Sequence, residues 1–135
     1  MALKIRGHHL KEIFQHARKC YPFEACGILV GKVEGEDRTV TKVYHTKNVI
    51  ASSSSYQIDP VEQLRVFEEA ELNGLEVLGF YHSHPFLDSL RSEADEEASR
   101  LWTGYVFLII SLKTGIANAY IRRQSELEKI EIITL

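Results

Sequence analysis

The sequence predicts one α/β domain, a mixed β-sheet with helices covering both of its faces. Three observations lead there. The 135 residues, 44% hydrophobic and 26% charged, suffice for one hydrophobic core and fall short of two. Apolar patterning runs strand, helix, several strands, helix, strand, helix, strands, the order of a mixed sheet with covering helices. No repeat or linker composition interrupts it, so residues 1–135 read as one domain.

The elements follow in order. Leu3 to Arg6 forms a short first strand. From His9 to Tyr21, Leu10, Ile13, Phe14, Ala17 and Cys20 recur at helical spacing and mark one buried stripe. Pro22 stops that helix because it cannot continue the hydrogen-bond ladder. Ala25 to Val30 is almost continuously apolar and ends at Gly31, a strand buried on both faces. Lys32 to Arg38, polar and holding Gly35, reads as a hairpin connection into a returning strand, Thr39 to Thr46. Ala51 to Ser55 lacks periodicity and is a loop, either a plain connection or a candidate flap; Tyr56 to Ile58 briefly rejoins the sheet.

Asp59 as N-cap and Pro60 as first residue open a second helix. It carries Val61, Leu64, Phe67 and Leu72 inward and stops at Asn73-Gly74. Leu75 to Ser83 is a strand ended by Pro85. A more polar third helix spans Ser92 to Leu101, with Trp102 packing its end. Tyr105 to Ser111 is the most hydrophobic strand and belongs at the sheet centre. Lys113-Thr114-Gly115 turns into Ile116 to Ile121, and Leu127 to Thr134 is the last strand.

Charge and composition narrow the partners. Sixteen Lys+Arg stand against 19 Asp+Glu, and no basic stripe exceeds Arg122-Arg123, which excludes nucleic acid and anionic membrane as natural partners. The longest apolar run, Val106 to Ile110, falls far short of the roughly 20 residues of a bilayer span. The N-terminus shows no secretory h-region or cleavage site. Cys20 and Cys26 fit neither a redox pair nor a four-cysteine zinc site, and read as free thiols of a cytoplasmic protein. No pattern marks a surface for self-association.

The chemistry concentrates in His82-Ser83-His84-Pro85 and in Ser92-Glu93-Ala94-Asp95. Alternate residues of a strand share a face, so His82 and His84 present two imidazoles side by side. Two imidazoles and one carboxylate make a zinc set with a position left for water. Asp95 is the favoured third ligand, because the chain can turn after Pro85 and return on a helix whose Ser92 shares its side. Asp88, Glu93 and Glu96 compete, and spacing leaves them open. The plain alternative is a chance His-x-His beside a helix N-cap, with Glu93, Asp95, Glu96 and Glu97 as a solvated face.

Those residues resemble the signature of the JAMM (MPN-type) metalloproteases: His-x-His-Pro, a spacer, then Pro-Ser-x-x-Asp. The stretch Pro22-Phe23-Glu24-Ala25-Cys26-Gly27-Ile28-Leu29-Val30-Gly31 is similar to the glutamate-bearing block that the family carries upstream. One position departs: Arg91 replaces the usual proline, which would loosen the loop or set a cation near the cleft. The resemblance implies a curved sheet with cytidine-deaminase-like layering, and one zinc ion per chain held by His82, His84 and Asp95. It implies Glu24 as general acid/base and Ser92 as an oxyanion donor. Locally, Glu24 reads as a plain surface carboxylate. The implied activity is peptide or isopeptide hydrolysis after the C-terminal Gly-Gly of a small ubiquitin-like or sulfur-carrier β-grasp protein. The short chain is similar to stand-alone prokaryotic members.

Rival readings lack their residues. A nucleoside deaminase needs His-x-Glu and Pro-Cys-x-x-Cys, and a thermolysin-like peptidase needs His-Glu-x-x-His; neither occurs. Ser83 should point away from the histidines, so no serine triad forms. His8, His9 and His16 read as ordinary solvent-face residues, His45 as a strand-end residue, and Cys26 as buried packing. The non-enzyme rival is a metal-stabilised scaffold or interaction domain.

Overall fold

The computed structural model describes residues 1–135. Seven strands and three helices follow in the order β1 (Ala2–Ile5), α1 (Gly7–Cys20), β2 (Cys26–Glu34), β3 (Asp37–Thr46), α2 (Pro60–Leu72), β4 (Glu76–His84), α3 (Glu93–Ala98), β5 (Val106–Ser111), β6 (Ala117–Arg122) and β7 (Leu127–Thr134). The sheet is mixed, as expected, but closes into a barrel in the order β1-β3-β2-β4-β5-β6-β7. The short first strand makes the closure by lying parallel to both β3 and β7. Such parallel, chain-distant pairings leave no local pattern, which is why an open sheet was the natural expectation.

Two cores occupy the two sides of this sheet. Ile13 and Ala17 of α1 pack with Leu3, Leu29, Leu108 and Ile121 inside the ring. Val66 and Ala70 of α2 pack on the other face with Ile28, Phe80, Phe107 and Ile109. All six residues of β5 are buried, and it lies between β4 and β6.

Several boundaries differ from expectation. The β2–β3 hairpin is much tighter than Lys32 to Arg38: Glu34 already pairs with Asp37, and Gly35 turns at φ 64°. Strand β2 continues through Gly31, where any Cβ would collide with the Thr39 carbonyl. Helix α2 has the expected bounds, and Asp59 Oδ1 accepts from Val61 N–H at 2.9 Å. Its inward stripe is different: Val61, Leu64 and Leu72 are 63%, 62% and 87% exposed, while Val66 and Ala70 are buried. Of the expected stripe only Phe67 packs against the core, half-buried beside Trp102 and Tyr105, while Val61, Leu64 and Leu72 are left outside. Helix α3 is only six residues long, stopping at a Ser99 C-cap rather than at Leu101. Trp102 lies beyond it, edge-on to Phe80 and Tyr105.

No helix is long and apolar enough to cross a membrane. Both cysteines are free, with Cys26 buried and Cys20 half-buried. His16 departs from the solvent-face expectation: its Nδ1 and that of His45 each lie 2.6 Å from the Tyr81 hydroxyl. That phenol can donate to one ring and accept from the other, joining α1, β3 and β4.

Candidate active site

The site lies at the C-terminal end of β4, on the face that carries the α2 core. Phe80, His82 and His84 alternate onto that face, and the two imidazole centroids are 5.1 Å apart. Ser83 points the other way, its Oγ accepting from Ala25 N–H at 2.8 Å. This bond anchors the segment bearing Glu24 to the strand bearing the histidines.

Asp95 meets both rings. Its Oδ1 is 2.9 Å from His82 Nε2 and its Oδ2 is 3.1 Å from His84 Nε2. All three residues are buried, and their ligand atoms lie within 4.8 Å of one another. Helix α3 aims the carboxylate through a capping box. Ser92 Oγ accepts from Asp95 N–H at 3.1 Å, and Asp95 Oδ2 accepts from Ser92 N–H at 2.9 Å. The helix cap and the cluster share this carboxylate: the cap orients Asp95 toward the two imidazoles.

The competing carboxylates go elsewhere. Asp88 Oδ1 accepts from Leu90 N–H, and Glu96 pairs with Arg122 at 2.8 Å and Arg91 at 2.9 Å. Glu93 is exposed on the cavity wall. Arg91 also reaches Glu126 at 3.6 Å and lies over the Tyr120 ring, so it ties its loop down rather than loosening it.

These residues fit a divalent cation. His82 Nε2 approaches Asp95 without hydrogen-bond alignment, so both ring nitrogens of this buried imidazole are without hydrogen-bond partners. A buried imidazole is normally partnered, and a cation among the three side chains would satisfy it. Burial alone would raise the Asp95 carboxyl, yet the two imidazoles and the Ser92 N–H hold it far below the usual carboxylate range. Burial likewise opposes charge on His84, but Asp95 and the Asp88 carbonyl raise its affinity for a proton. Such a negative centre amid nitrogen donors is what a cation displaces protons to reach.

Glu24 is 4% exposed, not the surface carboxylate its local sequence suggests. It lines an open cavity of about 450 Å³ together with His84, Ser92, Ser53 and Ser54. Its Oε1 is buried with no partner, and burial pushes the carboxyl up to about 8. Cys26 is fully buried, with Thr46 Oγ1 3.5 Å from its sulfur, and burial raises the thiol to about 11. It is packing.

Three contributors have weak or absent signals in the sequence. The Asp88 carbonyl accepts from His84 Nδ1 at 2.6 Å, a backbone role that residue type does not reveal. Tyr56 stacks on His82 at 4.5 Å between centroids and 21° between planes. Asn48 Nδ2 donates to the Glu24 carbonyl at 3.1 Å. Only Tyr56 had any mark, as the residue beyond the candidate flap.

A buried His-His-Asp cluster at a strand end, with a buried glutamate and a serine opening onto the same cavity, defines a metalloprotease site of the JAMM type. Residues 7–125 match the model of the prokaryotic homologs of the JAB domain, and the chain belongs to that family. It is 40% identical over 104 residues to a desampylase of Haloferax volcanii, covering 73% of each chain. It is 36% identical over 93 residues to a CysO-cysteine peptidase of Mycobacterium tuberculosis, covering 69% of this chain and 62% of that one. A solution structure of a protein from Desulfitobacterium hafniense superposes with a TM-score of 0.90 at 31% identity, covering 98% of this chain and 92% of that one.

Proposed function

We propose that this chain is a single-domain zinc peptidase. It hydrolyses the amide bond after the C-terminal Gly-Gly of a ubiquitin-like or sulfur-carrier β-grasp protein. His82, His84 and Asp95 hold the zinc, Glu24 moves the proton, and Ser92 steadies the carbonyl oxygen. The observation that carries this reading is Glu24: a buried carboxylate with an unpartnered oxygen, on the same cavity as His84 and Ser92. Similarity to a desampylase and to a CysO-cysteine peptidase supports the substrate class. The two free thiols accord with a cytoplasmic setting.

Zinc in this cluster would supply a Lewis acid that polarises a carbonyl and acidifies water. Glu24 accepts a proton from the attacking water and delivers it to the departing amine nitrogen. Burial gives it an elevated affinity for protons, which suits that shuttle, and a cation held in the neighbouring cluster would lower that affinity. Ser92 Oγ already accepts from Asp95 N–H, which leaves its O–H free to donate to the developing oxyanion. A three-membered ligand set favours catalysis over a closed structural site, which takes four protein ligands.

The test is a panel of a lysine-linked β-grasp conjugate, a sulfur carrier extended beyond Gly-Gly, and an unrelated peptide, each with and without chelator. Cleavage confined to the first two and abolished by chelation is expected. Glu24→Gln should keep its zinc by elemental analysis and lose nearly all turnover. Full activity in that variant, or loss of its metal, would remove Glu24 from the role.

A further inference from the structure

The two imidazoles of the cluster are held in different ways. His84 donates from Nδ1 to the Asp88 carbonyl, the usual device for orienting a metal-binding ring. His82 has no such bond, since its Nδ1 is buried and unpartnered. Asp95 and His84 lie at its edge, and its face is covered by the Tyr56 ring, nearly parallel at 21°. Stacking replaces the missing hydrogen bond as the constraint on ring rotation.

Tyr56 is in turn held by Asn48. The Asn48 Oδ1 accepts from Gln57 N–H at 3.1 Å, and its Nδ2 donates to the Ser55 carbonyl at 3.2 Å, so both neighbours of Tyr56 are fixed by one amide. Oδ1 also accepts from Ile50 N–H at 3.2 Å. The remaining donation goes to the Glu24 carbonyl at 3.1 Å. The same loop takes the Glu24 N–H on the Ser52 carbonyl at 2.8 Å. Both backbone polar groups of Glu24 are therefore bonded to the segment that carries Tyr56.

We propose that loop 48–57 is a positioning element for both halves of the site: Tyr56 sets the His82 ring by stacking, and Asn48 ties Tyr56 and the Glu24 backbone to one frame. Tyr56 and Asn48 act only through His82 and Glu24. The loop thus fixes the histidine-aspartate cluster and Glu24 relative to one another. This inference rests on the zinc-peptidase reading of the cluster.

The experiment measures zinc affinity by competition with a chromogenic chelator, the visible spectrum of the cobalt(II)-substituted protein, and kcat and KM at saturating zinc. Thermal unfolding is followed in parallel. Tyr56→Leu should weaken zinc binding on the order of 10- to 100-fold and alter the cobalt bands, as loss of a ligand-orienting contact does. Tyr56→Phe keeps the stacked ring and should match the wild type in both. Asn48→Asp keeps the acceptors for Ile50 and Gln57 but loses both donations. Its kcat should fall on the order of 10²-fold through misplacement of Glu24, with KM little changed.

Wild-type zinc affinity and cobalt spectrum in Tyr56→Leu would overturn the proposal, as would equal loss in Tyr56→Phe. Parallel collapse of affinity, kcat and melting temperature in Asn48→Asp would reduce the loop to a structural part and also overturn it. Failure of the wild-type protein to bind zinc would instead bring down the zinc-peptidase reading beneath it.

Discussion

Ser92 uses one oxygen for two purposes, and substitutions can separate them. Its lone pair caps α3 through Asp95 N–H, while its proton remains available to the cavity. Ser92→Ala should lower stability by about 1 kcal/mol through the lost cap. It should also slow turnover by about 10² to 10³ through the lost donor. Ser92→Asp restores a capping acceptor without an O–H, so it should recover the melting temperature but not kcat. Calorimetry beside steady-state kinetics checks both. At this scale the imidazole pair of the candidate metal cluster was legible, because strand alternation sets His82 beside His84 from spacing alone. Asp95 could not be separated from Asp88, Glu93 and Glu96 by spacing, since the choice depends on where a six-residue helix begins. Glu24 was legible as a candidate only through the resemblance of its surrounding block, because nothing local in the sequence shows that it is buried.

The helices show how far periodicity reaches. Helix α1 buries the expected stripe, with Ile13 and Ala17 fully enclosed. Helix α2 carries two apolar stripes, and the expected one is only partly right: Phe67 packs inward, while Val61, Leu64 and Leu72 face outward. Contact with a curved sheet selects by closeness of approach, so Ala70 holds the interface where Leu72 cannot. Ala70→Leu should overpack that seam and cost about 1 to 3 kcal/mol. Leu72→Lys, on the open side, should stay within about 0.5 kcal/mol of wild type. Chemical denaturation of the two variants distinguishes the faces, and the reverse ranking would show that α2 docks otherwise.

The whole molecule has an acid sensitivity written into the His16–Tyr81–His45 bridge. Burial, then the neighbouring His45, pushes His16 down to about 4 from an ordinary value of 6.5. Above 6.5 neither folded nor unfolded chain carries this proton, and the bridge is intact. As pH falls from 6.5 toward 4 the unfolded chain takes up a proton that the folded one refuses, so stability declines across that window. His16→Asn should flatten that part of the pH-stability curve, measured by denaturant midpoint at each pH. An unchanged slope would assign the acid sensitivity to other groups. The layered α/β class was legible from element order, since helical and strand patterning alternate along the chain. Ring closure was not, because β1 carries only four residues and pairs with partners from distant parts of the chain.

That four-residue strand has a consequence for behaviour in concentrated solution. By joining β3 to β7 it gives every strand a neighbour on both sides, covering Arg38 and Thr39 of β3 and Glu131 to Thr134 of β7, and it shortens the border left for other copies to pair with. Loss of the first few residues would open the ring between β3 and β7 and bare a strand border on each, the kind of edge onto which strands of other copies can add.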